Sequence, residues 1–460
     1  MLIAWAGLAW AAAATLLHFG GLFSKMALQS VSLLDALLTP ISDEDAKLDA
    51  VQSKTALLTL SLLQVFAIAM VAIGGAGLLG QAGLHWLFPD AARSTGWELL
   101  AVSTGLVPPW WRAARKARRQ DFSPLSVLLH RIAFDHPELA WRLFKRDLKS
   151  RSHVPARPDY LLVTGLARSG TTSLLNHLSR VERFDSLSYA QLPFLLSPNL
   201  WRRIYNPAQG EAVERSHKDG LLIHHRSVEA LEEYFFKVLT RDAFIASDRL
   251  LPHEISPDQH SDYLDYQRLT RSSPDQIYLA KNNNALLRYP ALRRHNPHFR
   301  AVILFRHPLH HAASLLDKHL QYSALQTKDP FILDMMDWLG HHEFGCGHKP
   351  MLWDTSDGPQ AGPDLWGDPR ALDYWLKVWI AYYTEALTVD DKGCTWVCYE
   401  SFCEHPTETV QQLLKPWKLT WPHPHIESFQ NAREISRPFD SDVLAQAEAI
   451  HARLMAQSNR

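Results

Sequence analysis

The sequence predicts an α/β protein, with a central parallel sheet flanked by helices and preceded by an α-helical membrane region. Three observations lead there. A strand, a glycine-marked turn and a helix start follow one another from Tyr160 to Leu175. Downstream, short apolar runs alternate with helical patterns, the order that builds parallel sheets covered on both faces. Before both, two long stretches carry no charged side chain, long enough to cross a bilayer.

In chain order, residues 1–24 hold no charged side chain, the first being Lys25. A spanning helix is expected over about residues 2–23; a signal peptide competes with it, but the basic start of one is missing. Thr55 to Pro89 is again uncharged, and a second span is expected over about residues 57–79. Pro108, Pro109, Trp110 and Trp111 suit the membrane interface. The basic cluster of Arg112, Arg115, Lys116, Arg118 and Arg119 marks the cytoplasmic side. The expectation is thus a membrane region over residues 1–120, with the large remaining domain in the cytoplasm. Residues 121–156 then form a linker, with one amphipathic helix from Ser123 to Lys149.

The organising stretch opens at Tyr160. Tyr160 to Val163 is a buried parallel strand by its unbroken apolar run. Gly165 and Gly170 permit a sharp turn and a close ligand approach, and Leu174, Leu175, Leu178 and Val181 then share a helical face. Free amides at such a helix start attract anions. Arg168 adds a forked cation, and Ser169, Thr171 and Thr172 add hydroxyl donors. The Gly165 to Gly170 spacing matches a Walker-type loop, but the lysine expected at position 171 is Thr171, and the cation sits inside the loop at Arg168.

Beyond it, Gln276–Ala280 reads as a strand, Ala285–His295 as a helix, Arg300–Phe305 as a strand and Pro308–Tyr322 as a helix started by Pro308. Asp337–Asp368, rich in Gly, Pro, Trp and His, reads as a long loop. Arg370–Val389 reads as a helix, Thr395–Tyr399 as a strand and Asp440–Met455 as a closing helix. Arg306 follows a strand and Ser314 lies eight residues on. An arginine at a strand tip with a hydroxyl on the next helix can hold a second anion.

Composition narrows the classes. The chain has 460 residues with 47 Lys and Arg against 48 Asp and Glu, net −1, so no global field favours nucleic acid. Four cysteines, Cys346, Cys394, Cys398 and Cys403, make no disulfide framework and suit a reducing compartment. His341, His342, Cys346 and His348 offer metal-ligand types in no established spacing, and loop packing accounts for them.

The loop, with its internal Arg168 followed by Ser169, Gly170, Thr171 and Thr172, resembles the phosphosulfate loop of sulfotransferases that use 3'-phosphoadenosine 5'-phosphosulfate (PAPS). Phe305, Arg306, His307, Pro308 and Ser314 resemble that family's 3'-phosphate contacts. Lys281 stands where the family carries a lysine near the sulfuryl group, and Val397 to Phe402 resembles its late strand. The resemblance covers residues 157 to about 420. It implies a P-loop NTPase-like sulfotransferase fold over residues 157–460 and PAPS as co-substrate, with no metal. It also implies transfer of a sulfuryl group to a hydroxyl or amine. Arg168, Ser169, Gly170, Thr171, Thr172, Arg306 and Ser314 would then bind PAPS, and Lys281 would steady the bridging oxygen.

The family's base often follows that lysine by two residues, where this chain has Asn283. Other branches use a glutamate between the two anion sites, so Glu232 and Glu233 are the first candidates, followed by His224 and His225. With membrane segments beside the site, a lipid or amphiphilic acceptor is expected. A P-loop kinase or hydrolase, or a non-catalytic nucleotide-binding membrane protein, are the alternatives. Sequence leaves the oligomeric state open.

Overall fold

In a computed structural model, the protein is described over residues 124–204, 213–214, 222–223, 230–353, 366–389, 393–423, 425–429 and 435–458, together with Thr55, Leu57, Thr59 and Ser61. The chain divides into two compact units, one of residues 1–124 and 202–225, the other of residues 125–201 and 226–460. Both expected membrane spans, apart from Leu57, Thr59 and Ser61, lie outside the described residues, as does the basic cluster. Among the described residues no helix is long and apolar enough to cross a membrane.

The second unit opens with α1 (Pro124–Phe134) and α2 (Pro137–Ser150). The single linker helix expected here is two helices, because Pro137 has no amide to continue α1 and starts α2 instead. Both join the core: Phe134, Phe144 and Leu148 pack in the same apolar cluster as Tyr160 and Leu162.

Strand β1 (Tyr160–Thr164) is buried at every residue, as its apolar run requires. It leads through the glycine turn into α3 (Thr171–Leu178). Strand β2 (Phe184–Asp185) and α4 (Pro198–Ile204) follow. In the first unit, β3 (Val213–Glu214) pairs antiparallel with β4 (Leu222–Ile223). Back in the second unit come α5 (Glu233–Thr240), α6 (Pro257–Thr270), β5 (Ile277–Lys281), a 3-10 turn over Ala285–Arg288 and α7 (Tyr289–His295). The helix expected over residues 285–295 is thus a tight turn and then a short helix, with Pro290 in its first turn. Strand β6 (Arg300–Phe305) has the expected bounds, and α8 (Pro308–Lys328) runs two turns past them. Next are α9 (Pro330–Trp338), α10 (Leu372–Ala386), β7 (Cys394–Cys398), α11 (Tyr399–Glu404), α12 (Pro406–Leu414) and α13 (Ser441–Ser458).

The central sheet is five-stranded and parallel, in the order β2-β5-β1-β6-β7. Its side chains alternate between two cores, as a period of two demands. Tyr160, Leu162, Tyr278, Ala280, Ile303 and Phe305 enter one cluster. Leu161, Val163, Leu279, Val302 and Leu304 enter the other, with Leu174, Leu175 and Leu178 of α3. Register then fixes the site. Val163 lies beside Lys281, Thr164 beside Ile303, and Phe305 beside Cys398. Gly165, Lys281, Arg306 and Tyr399 consequently emerge together at the carboxyl edge, where open α/β sheets bind ligands.

Candidate functional site

The turn between β1 and α3 is built by backbone conformations that side chains resist. Gly165 has φ +151°, and a Cβ there would lie 2.6 Å from the Leu304 carbonyl oxygen of the neighbouring strand. Gly170 has φ +96°, and a Cβ there would run into the Tyr399 ring. Arg168 itself adopts φ 72°, a left-handed state that a non-glycine residue holds only when its surroundings insist. Ser169 N donates to the Leu166 carbonyl at 3.1 Å, closing the turn. Below it, buried His311 of α8 meets the Ala167 carbonyl through Nε2 at 2.7 Å. Burial keeps that imidazole neutral, with its pKa lowered to about 3.

The two anion-binding stretches expected from sequence are joined. Arg168 Nε donates to Ser314 Oγ at 3.4 Å, linking the loop after β1 to the helix after β6. Lys281, at the end of β5, donates from Nζ to Thr172 Oγ1 at 2.7 Å. Thr171 Oγ1 donates to Asn283 Oδ1 at 3.5 Å. Arg306 is buried at the tip of β6, its guanidinium 5.0 Å above the centre of the Tyr399 ring. Tyr399 therefore stands between the loop, through Gly170, and Arg306. Glu400 Oε1 lies 3.9 Å from Arg306 Nε and accepts from the His307 amide at 3.2 Å. Burial pulls the Arg306 pKa down and nearby Arg168 adds to that, against the opposite pull of Tyr399 and Glu400. A buried guanidinium with a second one close enough to disfavour its charge marks a place prepared for negative charge.

Glu232 and Glu233 sit elsewhere in this network. Glu232 is buried and accepts from the Tyr263 hydroxyl, from Tyr278 at 3.0 Å and from Asn282 Nδ2 at 3.0 Å. Burial raises its pKa in spite of those bonds. Glu233 holds Arg288 in a bidentate pair at 2.7 and 2.5 Å and also accepts from Asn282 at 2.9 Å. Both carboxylates are occupied in holding Asn282, the residue after Lys281, so their visible work is to fix the lysine's strand end. His224 and His225 lie outside the described residues.

Sequence reasoning had Tyr399 only as the end of a late strand, where the structure starts α11, and it missed the acidic residue that does adjoin the loop. Glu343 Oε1 accepts from Asn283 Nδ2 at 3.0 Å, and His341 Nδ1 stands 3.4 Å away. Asn283 is the same residue that accepts from Thr171. Nothing local in the sequence signals this, since 60 residues separate Glu343 from Asn283. The histidines of residues 341–348 do not converge on one point: His341 faces Glu343, while His348 meets the Tyr374 hydroxyl at 3.0 Å. Among the described residues, Cys398, Glu400 and His451 bring ligand atoms within 4.8 Å of one another, but Glu400 is already engaged by Arg306 and the His307 amide. None of the four cysteines forms a disulfide.

No protein-family model matches the chain, and no curated protein matches it. Among solved structures it is similar to sulfotransferase STF1 from Mycobacterium tuberculosis H37Rv, at 17% identity over 80% of this chain and 96% of that one, with a TM-score of 0.36. It is similar to sulfotransferase STF9 from Mycobacterium avium at 14% identity over 79% and 89%, with a TM-score of 0.36. A sulfotransferase from Alicyclobacillus acidocaldarius matches at 13% identity over 66% and 95%, with a TM-score of 0.31. Likeness at this level says nothing of chemistry, which rests on the site itself.

Proposed function

We propose that this chain is a sulfotransferase that moves a sulfuryl group from PAPS to a hydroxyl or amine acceptor. The observation that carries the reading is the Arg168–Ser314 contact, which ties an anion-seeking loop at one strand tip to a second cationic corner at the next. The donor set fits a multiply charged nucleotide: Arg168, Lys281 and Arg306 supply cations, and Ser314, Thr171, Thr172 and the α3 amides supply neutral donors. PAPS supplies the sulfuryl group and a bisphosphate that departs when it is transferred. Arg168, Ser169, Gly170, Thr171 and Thr172 would hold its 5' end, and Arg306 with Ser314 its 3'-phosphate.

Lys281 is fixed from two sides. Its ammonium is held to Thr172, and its strand end is held through Asn282 by Glu232 and Glu233. A cation fixed before the reaction need not reorganise as charge builds on a leaving oxygen, which is how such groups lower barriers. The cations and amides provide the charge stabilisation that a metal gives in phosphoryl transfer. Attachment to a membrane through residues 2–23 and 57–79, a cytoplasmic catalytic domain and a lipid or amphiphilic acceptor belong to the same proposal on sequence grounds.

The test is direct. Purified protein is incubated with sulfur-labelled PAPS, with ATP in a parallel tube, and with a crude lipid extract. Label passing from PAPS to an extract component is the expected result, lost in Lys281→Met. Phosphate release from ATP with no sulfate transfer would overturn the proposal in favour of a P-loop hydrolase or kinase.

A further inference from the structure

A pocket of about 410 Å³, counting its open mouth, lies against the loop after β1. Leu166 and Ala167 of the loop itself form one wall. Leu250, Leu315, Pro350, Met351, Trp353, Trp375 and Val378 supply further apolar walls. Asn284, His342, Glu343, His348, Lys349 and Tyr382 set polar groups among these apolar walls. Apolar walls with a few convergent polar groups select a hydrocarbon body with one polar end.

Glu343 is the anionic member of that lining, and it is held on both sides. Asn283 donates to its Oε1 at 3.0 Å and His341 Nδ1 lies 3.4 Å from the same oxygen. Asn283 in turn touches Thr171, so the carboxylate is joined through one side chain to the loop. It is also two residues removed, through Asn283, from Lys281.

Resting on the sulfotransferase reading, we propose that this pocket binds the acceptor, an alcohol or phenol on a hydrocarbon body, and that Glu343 takes its hydroxyl proton. The acceptor oxygen forms its bond to sulfur as the bond from sulfur to the bridging phosphate oxygen breaks. The bridging oxygen departs with the electron pair on adenosine 3',5'-bisphosphate, and the proton of the acceptor passes to the Glu343 carboxylate. Burial alone would raise the carboxyl of Glu343, but the charge and hydrogen bond of His341 and the bond from Asn283 hold it down to about 2, so it is ionised and ready to accept. Weak basicity is no obstacle in a loose transfer, because the hydroxyl becomes acidic only as its oxygen bonds to sulfur. Neither Glu232 nor Glu233 is needed for that step.

The experiment compares wild type, Glu343→Gln and Val378→Phe. Adenosine 3',5'-bisphosphate binding is measured by calorimetry. Sulfate transfer from labelled PAPS is measured with 2-naphthol in solution, hexadecanol in phosphatidylcholine vesicles, and glucose. The expected result is transfer to naphthol or hexadecanol but not glucose, the vesicle arm telling a lipid acceptor from a free one. In Glu343→Gln, kcat should fall roughly 10²-fold or more while bisphosphate affinity stays within about threefold. Val378→Phe, which fills the pocket and leaves the carboxylate, should raise KM for the apolar acceptor instead. Bisphosphate binding with transfer to glucose alone, or with full kcat in Glu343→Gln, overturns this inference and leaves the sulfotransferase reading standing. No bisphosphate binding and no transfer in wild type would overturn both.

Discussion

Replacing Glu233 by Gln separates the role expected of it in sequence from the one its surroundings give it. If Glu233 were the base, Glu233→Gln would lose activity and keep its stability. In the structure the Arg288 side chain has 0% exposure and that of Glu233 3%, and the two are joined by two hydrogen bonds. Arg288 also lies 4.0 Å over the Phe236 ring and donates to His253 Nε2 at 3.0 Å. Gln cannot neutralise this guanidinium, which stays buried because its aromatic cover leaves no route to water. Removing one partner of such a pair costs roughly 3–5 kcal/mol. The compact unit around it has roughly 300 residues, so at about 2 cal/mol/K per residue the melting temperature should drop by roughly 5–8 °C. Differential scanning calorimetry with bisphosphate binding measured on the folded protein gives both numbers. An unchanged melting temperature with abolished turnover would refute the structural assignment and restore Glu233 as the base.

Other outcomes follow from the same site. Arg168→Ala and Arg306→Ala should each weaken adenosine 3',5'-bisphosphate binding by roughly 10–100-fold, the worth of a charge-assisted contact; calorimetry showing unchanged affinity in both would remove the proposed donor site. Gly170→Ala should cost about 1–3 kcal/mol more than Gly367→Ala. The two glycines share a positive φ, +96° and +94°, but only the Gly170 methyl meets the Tyr399 ring, whereas at Gly367 nothing lies within 4 Å. Trimming Tyr399 to Ala in the Gly170→Ala background should recover part of the loss in urea unfolding.

Acid should destabilise the fold from pH 6.5 downward. His311 and His253 each have a pKa lowered from 6.5 to about 3, chiefly by burial, with Arg288 adding to the shift at His253. The unfolded chain binds these protons first, so their contribution is complete above pH 6.5 and disappears as pH falls toward about 3. For fully buried His311 it is roughly 5 kcal/mol at 1.36 kcal/mol per unit. His311→Gln should flatten the urea midpoint's slope across that window, and an identical slope would refute the sign.

What could be read along the chain was what neighbours in sequence dictate. The strand, turn and helix from Tyr160 were legible because apolar runs, glycines of positive φ and a helical stripe are local signals. β6 kept its bounds for the same reason, and Ser314 sits on the helix that directly follows the strand tip of Arg306. The same logic failed for α1 and α2, where Pro137 outweighed a continuous amphipathic pattern, and for residues 285–295, whose tight turn the apolar count concealed. Helix α6 was overlooked although Ser256 and Gln259 cap each other in the reciprocal pattern that opens helices.

By itself the sequence determined the parallel sheet, the anion-seeking loop and the order of the cations, since each depends on residues a turn or two apart. Only the tertiary structure decided what surrounds each acid. Glu233 is neutralised by Arg288, 55 residues on, and Glu343 reaches the loop through Asn283, 60 residues back. A carboxylate's chemistry depends on the charges and water around it, and the fold supplies those from distant parts of the chain.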